Sequence, residues 1–177
     1  ILGSENFKIL LVDDEPDIIE IISYTLKSDG YLVYTAENGV KAIKLAKKIK
    51  PHLIILDLMM PEMDGIEACE IIRNDSEIGN TLIAFLSARG EDYSQVAGFN
   101  AGADDYITKP IKPKLLKSKI KSLLRRISQD EGEVIKIGSL IIDRSGYKVS
   151  LNGKDISLPR KEFELLFLLG SKPGKVF

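Results

Sequence analysis

The 177-residue sequence has one cysteine, one histidine and no tryptophan. A single thiol, Cys69, excludes an internal disulfide and fits a reducing compartment. Set in a helical apolar pattern, it reads as a small core residue rather than a nucleophile. His52 precedes a strand and has no second imidazole to join it, so neither a phosphotransfer nor a metal role is expected of it. No apolar run approaches the roughly 18 to 20 residues of a membrane-spanning helix, and no membrane partner is expected. An excess of one charge is missing too: 25 basic residues against 26 acidic ones leave a net charge of -1, which does not announce a nucleic-acid binder. Lys112, Lys114, Lys117, Lys119, Lys121, Arg125 and Arg126 do crowd one segment, and that run reads as a solvated helix face. No signal peptide is visible and a cytoplasmic location is expected. Ile1-Leu2-Gly3-Ser4 lacks an initiating Met and is set aside from fold reasoning.

What is present is an ordinary globular composition, 44% apolar and 29% charged, arranged in two styles. Up to about residue 127, short apolar runs alternate with helical patterns, the sequence form of repeated βαβ units. Strands are expected at 8–12, 31–36, 53–56, 82–86 and 105–108. Helices are expected after Pro16, from Val40 to before Pro51, and over 64–74, 92–100 and 113–126. The 53–56 run is apolar throughout, as a strand covered on both faces should be. The fold class expected is therefore α/β, a five-stranded doubly wound parallel sheet. Beyond a short polar linker at 129–133 the periodicity changes. Strand-like runs at 134–138, 140–143, 147–151 and 156–158 predict a small antiparallel four-stranded sheet. Asn152-Gly153 is a strong type I′ turn signal and Ser145-Gly146 a weaker one. One helix opens at Pro159, with Gly170 and Pro173 expected to end it. The domains expected are thus 5–128 and 134–177.

The chemistry lies at the ends of the first set of strands. One apolar run ends at Asp13-Asp14 and another at Asp57, while two more end at Ser87 and at Lys109-Pro110. Ligands bind outside the carboxyl ends of parallel strands, so one crevice would collect three carboxylates, a hydroxyl and an ammonium. Asp14 and Asp57, with Asp13 as a further anionic oxygen, suit Mg²⁺, which needs only one or two carboxylates beside waters and a phosphate oxygen. Asp57 can act as a carboxylate nucleophile on phosphorus, and Lys109 can neutralise a phosphate oxygen. Ser87 could donate a hydroxyl to the same phosphate. Asp13-Asp14 has the alternative of a helix N-cap, and so has Ser87.

The blocks KILLVDD, LIILD, LMMPEMDG, FLSAR and GADDYITKP, in this order over about residues 8–126, resemble the receiver domain of bacterial two-component response regulators of the OmpR/PhoB type. The resemblance implies that Asp57 accepts a phosphoryl group from a sensor histidine kinase. It also implies that Asp13, Asp14 and the backbone carbonyl of Met59 help to hold Mg²⁺, and that Lys109 pairs with the phosphate. Ser87 and Tyr106 would form the switch, reshaping a face built from the 92–100 helix, the 105–108 strand and the 113–126 helix, through which a homodimer forms on phosphorylation. VIKIGSLIIDRSGYKVSLNGKDISL and PRKEFELLFLL resemble the start of a winged-helix output domain. Since GKVF is the last matching segment, promoter DNA is expected as a partner of the full-length protein and not, specifically, of a chain ending there.

The expected dimer face departs from the pattern, with Gln95 and Leu115 where a base and an acid are usual, while Asp104, Asp105, Lys119 and Arg126 keep their charge. Two alternatives remain. One is a Mg²⁺-dependent phosphohydrolase with an aspartate nucleophile, which would want a second acid at the Met59 position for turnover. The other is a receiver acting only as an interaction module. No multiple-turnover enzyme is expected.

Overall fold

The computed structural model describes residues 7–88, 100–129, 134–144 and 146–171. Strands β1 (Lys8–Val12), β2 (Leu32–Ala36), β3 (Leu53–Asp57), β4 (Leu82–Ser87) and β5 (Asp105–Thr108) form a sheet in the order β2-β1-β3-β4-β5. All four pairings are parallel. Helices α1 (Pro16–Lys27), α2 (Gly39–Ile49), α3 (Gly65–Asn74) and α4 (Pro113–Gln129) connect or follow the strands. The expected 92–100 helix lies outside the described residues except for Asn100, which is helical. None of the described helices is long and apolar enough to cross a membrane.

Local sequence explains where these elements start and stop. Pro16 opens α1, where its missing N–H costs nothing. Gly30 takes φ +87° just past the end of that helix, a left-handed conformation that suits glycine. Asn38 and Asp64 cap α2 and α3, their side chains accepting the backbone N–H groups of Lys41 and Glu67. Strands β1, β3 and β4 are buried almost throughout, Leu53, Ile54, Ile55 and Leu56 completely. The chain passes outward from β1 to β2 and then returns across β1 to β3. That reversal is the switch point of the sheet, and the register Val12↔Leu56 sets Asp13 beside Asp57.

The chain divides into two compact units after Arg125. In the second unit β6 (Val134–Ile137), β7 (Leu140–Asp143), β8 (Lys148–Leu151) and β9 (Lys154–Ile156) pair antiparallel in sequence order, followed by α5 (Arg160–Ser171). Asn152 and Gly153 both have positive φ, +53° and +76°, as a type I′ turn demands. Such a turn has two residues, so β9 begins at Lys154 opposite Leu151 rather than at the expected 156. Gly138 at φ +60° turns β6 into β7. Gly170 does not end α5 but lies within it, because its lack of a side chain lets the helix approach the sheet: a Cβ there would sit 3.2 Å from Ile142 Cδ1. Helix α4 runs to Gln129, the first residue of the span expected as linker, and the rest of that span lies outside the described residues.

Candidate functional site

The ends of β1, β3 and β5 build one cluster. Asp13 turns the chain out of β1 by accepting the Glu15 N–H at 2.8 Å on Oδ1. Its carboxylate is fully buried; Asp57 is 5% exposed and Asp14 is exposed. Carboxylate oxygens of Asp13, Asp14 and Asp57 lie within 4.8 Å of one another. Lys109 follows β5, its N–H donating to Ser87 O at 2.7 Å across the strand ends. Its Nζ reaches Asp13 Oδ2 at 3.1 Å, Glu15 Oε1 at 2.9 Å and Asp57 Oδ2 at 3.4 Å. Met59, two residues beyond Asp57, is 70% exposed in the turn that follows β3. Gly65 opens α3 against the backbone of Asp57, where a Cβ would fall 2.1 Å from the Asp57 carbonyl oxygen. Any side chain at 65 would force this backbone to shift.

Burial and crowding set the electrostatics. The Asp57 carboxyl is pushed up to about 6, first by burial and then by the Asp13 charge, with Lys109 opposing and Asp14 adding slightly. Burial likewise raises Asp13, against its bonds from Glu15 N–H and Lys109. Burial alone would lower the Lys109 ammonium, but Glu15, Asp13 and Asp57 outweigh it and hold the group above the ordinary lysine range. Three acids against one near cation is a donor set with charge to spare. Oxygen ligands of this number and charge fit a hard divalent cation, which would relieve the repulsion that raises Asp57.

Residues 9–121 match the response regulator receiver domain family. The chain is 38% identical to the DNA-binding response regulator MtrA of Mycolicibacterium smegmatis over 170 residues, covering 96% of this chain and 73% of that one. It is 41% identical over 178 residues to the transcriptional regulatory protein ResD of Bacillus subtilis, with 96% and 73% covered. It is therefore a response regulator. Among solved structures, the response regulator DrrB of Thermotoga maritima, an OmpR/PhoB homologue, aligns with a TM-score of 0.61 at 37% identity, covering 97% of this chain and 75% of that one. A response regulator from Chloroflexus aurantiacus aligns over 68% of this chain and 98% of its own, with a TM-score of 0.66 at 33% identity. These likenesses make the response regulator one of OmpR/PhoB type, with a flavodoxin-like receiver.

In this response regulator Ser87 ends β4 at 1% exposure, and its Oγ has no hydrogen-bond partner among the described residues. A buried hydroxyl left unmatched is costly, so it stands ready for an acceptor. Tyr106 is buried at 6% and packs on Phe85 with ring centroids 5.6 Å apart. Of the residues expected on a dimer face, Gln95 and the Arg126 side chain lie outside the described residues, and Leu115 is 52% exposed. Asp104 is engaged within the chain, accepting from Arg73 Nη2 at 3.0 Å and Ile83 N–H at 2.8 Å. Lys119 bonds Asp105 at 2.8 Å and also donates to Tyr106 O.

Two residues escaped sequence reasoning. Arg73 holds the carbonyls of Gly79, Thr81 and Gly102 at 2.9, 2.7 and 2.8 Å, besides Asp104. It thereby ties the end of α3 to the entries of β4 and β5. Glu15 sits at the N-cap of α1 without capping it, and a glutamate at a position that favours Ser, Thr, Asp or Asn was the available signal. His52 accepts the Lys8 N–H on Nδ1 at 2.9 Å, and its ring packs edge-on against Phe7.

Proposed function

We propose that Asp57 is the phosphoryl acceptor of this response regulator, with Asp13, Asp14 and the Met59 carbonyl as the other protein ligands of Mg²⁺. The observation that carries this reading is the buried carboxylate of Asp57 at the switch point, with Asp13 at its side and the Lys109 ammonium 3.4 Å away. When bound, the metal supplies positive charge to the phosphoryl oxygens and takes up the repulsion among the acids. An Asp57 oxygen attacks the phosphorus of a phosphohistidine on a sensor histidine kinase. The P–N bond breaks, its electron pair stays on the imidazole, and an acyl phosphate remains on Asp57. Little acid-base work is needed, because phosphoryl transfer is mainly positioning and electrostatics. Lys109 follows the charge onto the new phosphate, and Ser87 gives the same group its unmatched hydroxyl.

That contact exists only in the phosphorylated form, so it supplies the differential interaction a switch needs. Tyr106 completes the switch, and the response is homodimerisation through the face that carries Asp104, Asp105, Leu115 and Lys119. Control of promoter DNA through the second unit, in the cytoplasm, is the purpose we assign. A phosphohydrolase reading is disfavoured because Met59 stands where a second acid would drive turnover. Mass spectrometry after exposure to Mg²⁺ and a small phosphodonor tests the proposal. One phosphoryl group, absent in Asp57→Asn and after chelation, is the expected result, and a label persisting in either case rejects it. In Ser87→Ala, dimerisation on phosphorylation should weaken while Mg²⁺ affinity holds, as sedimentation and calorimetry would register.

A further inference from the structure

The Lys109 ammonium has three N–H donors, and three carboxylates stand within 3.4 Å of it: Asp13, Glu15 and Asp57. All three are ion pairs, and Glu15 is the one that also accepts a hydrogen bond, at 2.9 Å, while Asp13 Oδ2 has no hydrogen-bond partner among the described residues. A phosphoryl oxygen arriving on Asp57 competes with these carboxylates for the ammonium. Asp13 is a poor one to displace, since its carboxylate is 0% exposed and would be left buried without its cation. Asp57 is itself the group being modified. Glu15 is different in kind, because its side chain is 59% exposed and can turn into water. An exposed ion pair is also weak and readily broken.

The backbone gives this contact independent support. Glu15 occupies the N-cap of α1 in extended conformation, φ -89° and ψ 110°, and makes no side-chain cap bond. Its own N–H is pinned by Asp13 Oδ1, which fixes where its side chain starts. Instead of closing the helix, the carboxylate crosses to a lysine 94 residues away and holds it at 2.9 Å.

We propose that Glu15 is a positioning residue, a latch that holds Lys109 in the unphosphorylated chain and yields it when a phosphoryl group occupies Asp57. The free energy of the Glu15–Lys109 contact is then subtracted from the affinity of the site for that group. This rests on Asp57 being the acceptor.

Beryllofluoride, which stands in for a phosphoryl group on a carboxylate, is titrated with Mg²⁺ into the full chain. Heat is the readout, since the chain has no tryptophan to report by fluorescence. Glu15→Gln removes the charge, whereas Glu15→Asp keeps it on a side chain one methylene too short for the contact. Both substitutions should tighten beryllofluoride binding by about two- to fivefold, the range set by an exposed ion pair. Tightening in Glu15→Gln alone would mean simple repulsion between the carboxylate and the anion, and would overturn the latch. Unchanged or weaker binding in both would overturn it as well. Failure of the unsubstituted chain to bind beryllofluoride would overturn the acceptor reading and the latch with it, so the two failures are distinguishable.

Discussion

The two units of this response regulator bury their apolar residues in different ways. In the first, β1, β3 and β4 are covered on both faces, and residues 9–12, 53–56 and 83–86 along them have zero exposure. In the second, the closed core among the described residues is Ile142, Val149, Phe163 and Phe167, and β9 is exposed along its whole length. Val134, Ile137, Leu151, Ile156, Leu165, Leu168 and Leu169 remain exposed there. At about 1.5 to 3 kcal/mol for each large apolar side chain buried, the first unit can offset the cost of crowding acids at its strand ends. The second has no such margin, and its described residues include no comparable acid cluster. A site with strained electrostatics therefore sits where the packing is deepest.

Removing one large side chain from the thin core puts that contrast under the greatest load. Phe163, 1% exposed, packs on Tyr147 and Phe167. Phe163→Ala should cost about 3 to 5 kcal/mol and unfold the second unit while the first persists. Hydrogen exchange resolved by residue would register this, and loss of protection in β1 or β3 would mean that the units are not energetically separate. Next comes Arg73→Met, which deletes four charge-assisted bonds of the first unit. A loss of about 2 to 3 kcal/mol is expected in that unit alone, read as a lowered denaturation midpoint.

Asp57→Asn should act in the opposite direction. A carboxyl raised to about 6 from an ordinary 3.8 contributes stability below 3.8, and that contribution is lost as pH rises through 6. Without Mg²⁺ at pH 7, the substitution should therefore stabilise the first unit by about 1 to 3 kcal/mol, with the gain vanishing near pH 4. Thermal unfolding at the two pH values decides it, and equal gains at both would refute the electrostatic cause. The smallest effect belongs to His52, whose imidazole is lowered by burial and then by Lys8. Its folded pKa lies below the unfolded 6.5, so the stability it lends above 6.5 is lost as pH falls through the folded value. His52→Gln should lessen the acid-side loss relative to the unsubstituted chain, and identical midpoints from pH 7 to 5 would exclude a role for the imidazole.

Features that depend on near neighbours along the chain could be read from the residues themselves. Strand and helix periods, the two-residue Asn152-Gly153 turn and the acids closing two apolar runs were all legible, because each needs only a few consecutive residues. Parallel topology then brought Asp13, Asp57 and Lys109 together, as the strand endings of an α/β sheet require. Other features exist only through packing between distant segments. Gly170 reads as a helix stop, yet it serves helix-to-sheet contact. Asp104, Asp105 and Lys119 read as surface charges but are bonded within the chain. Arg73 and Glu15 gained their roles from partners that no spacing rule connects to them. The position of Asp57 was written in the sequence, while its raised pKa was not, because burial and the approach of Asp13 exist only once β1 and β3 lie side by side.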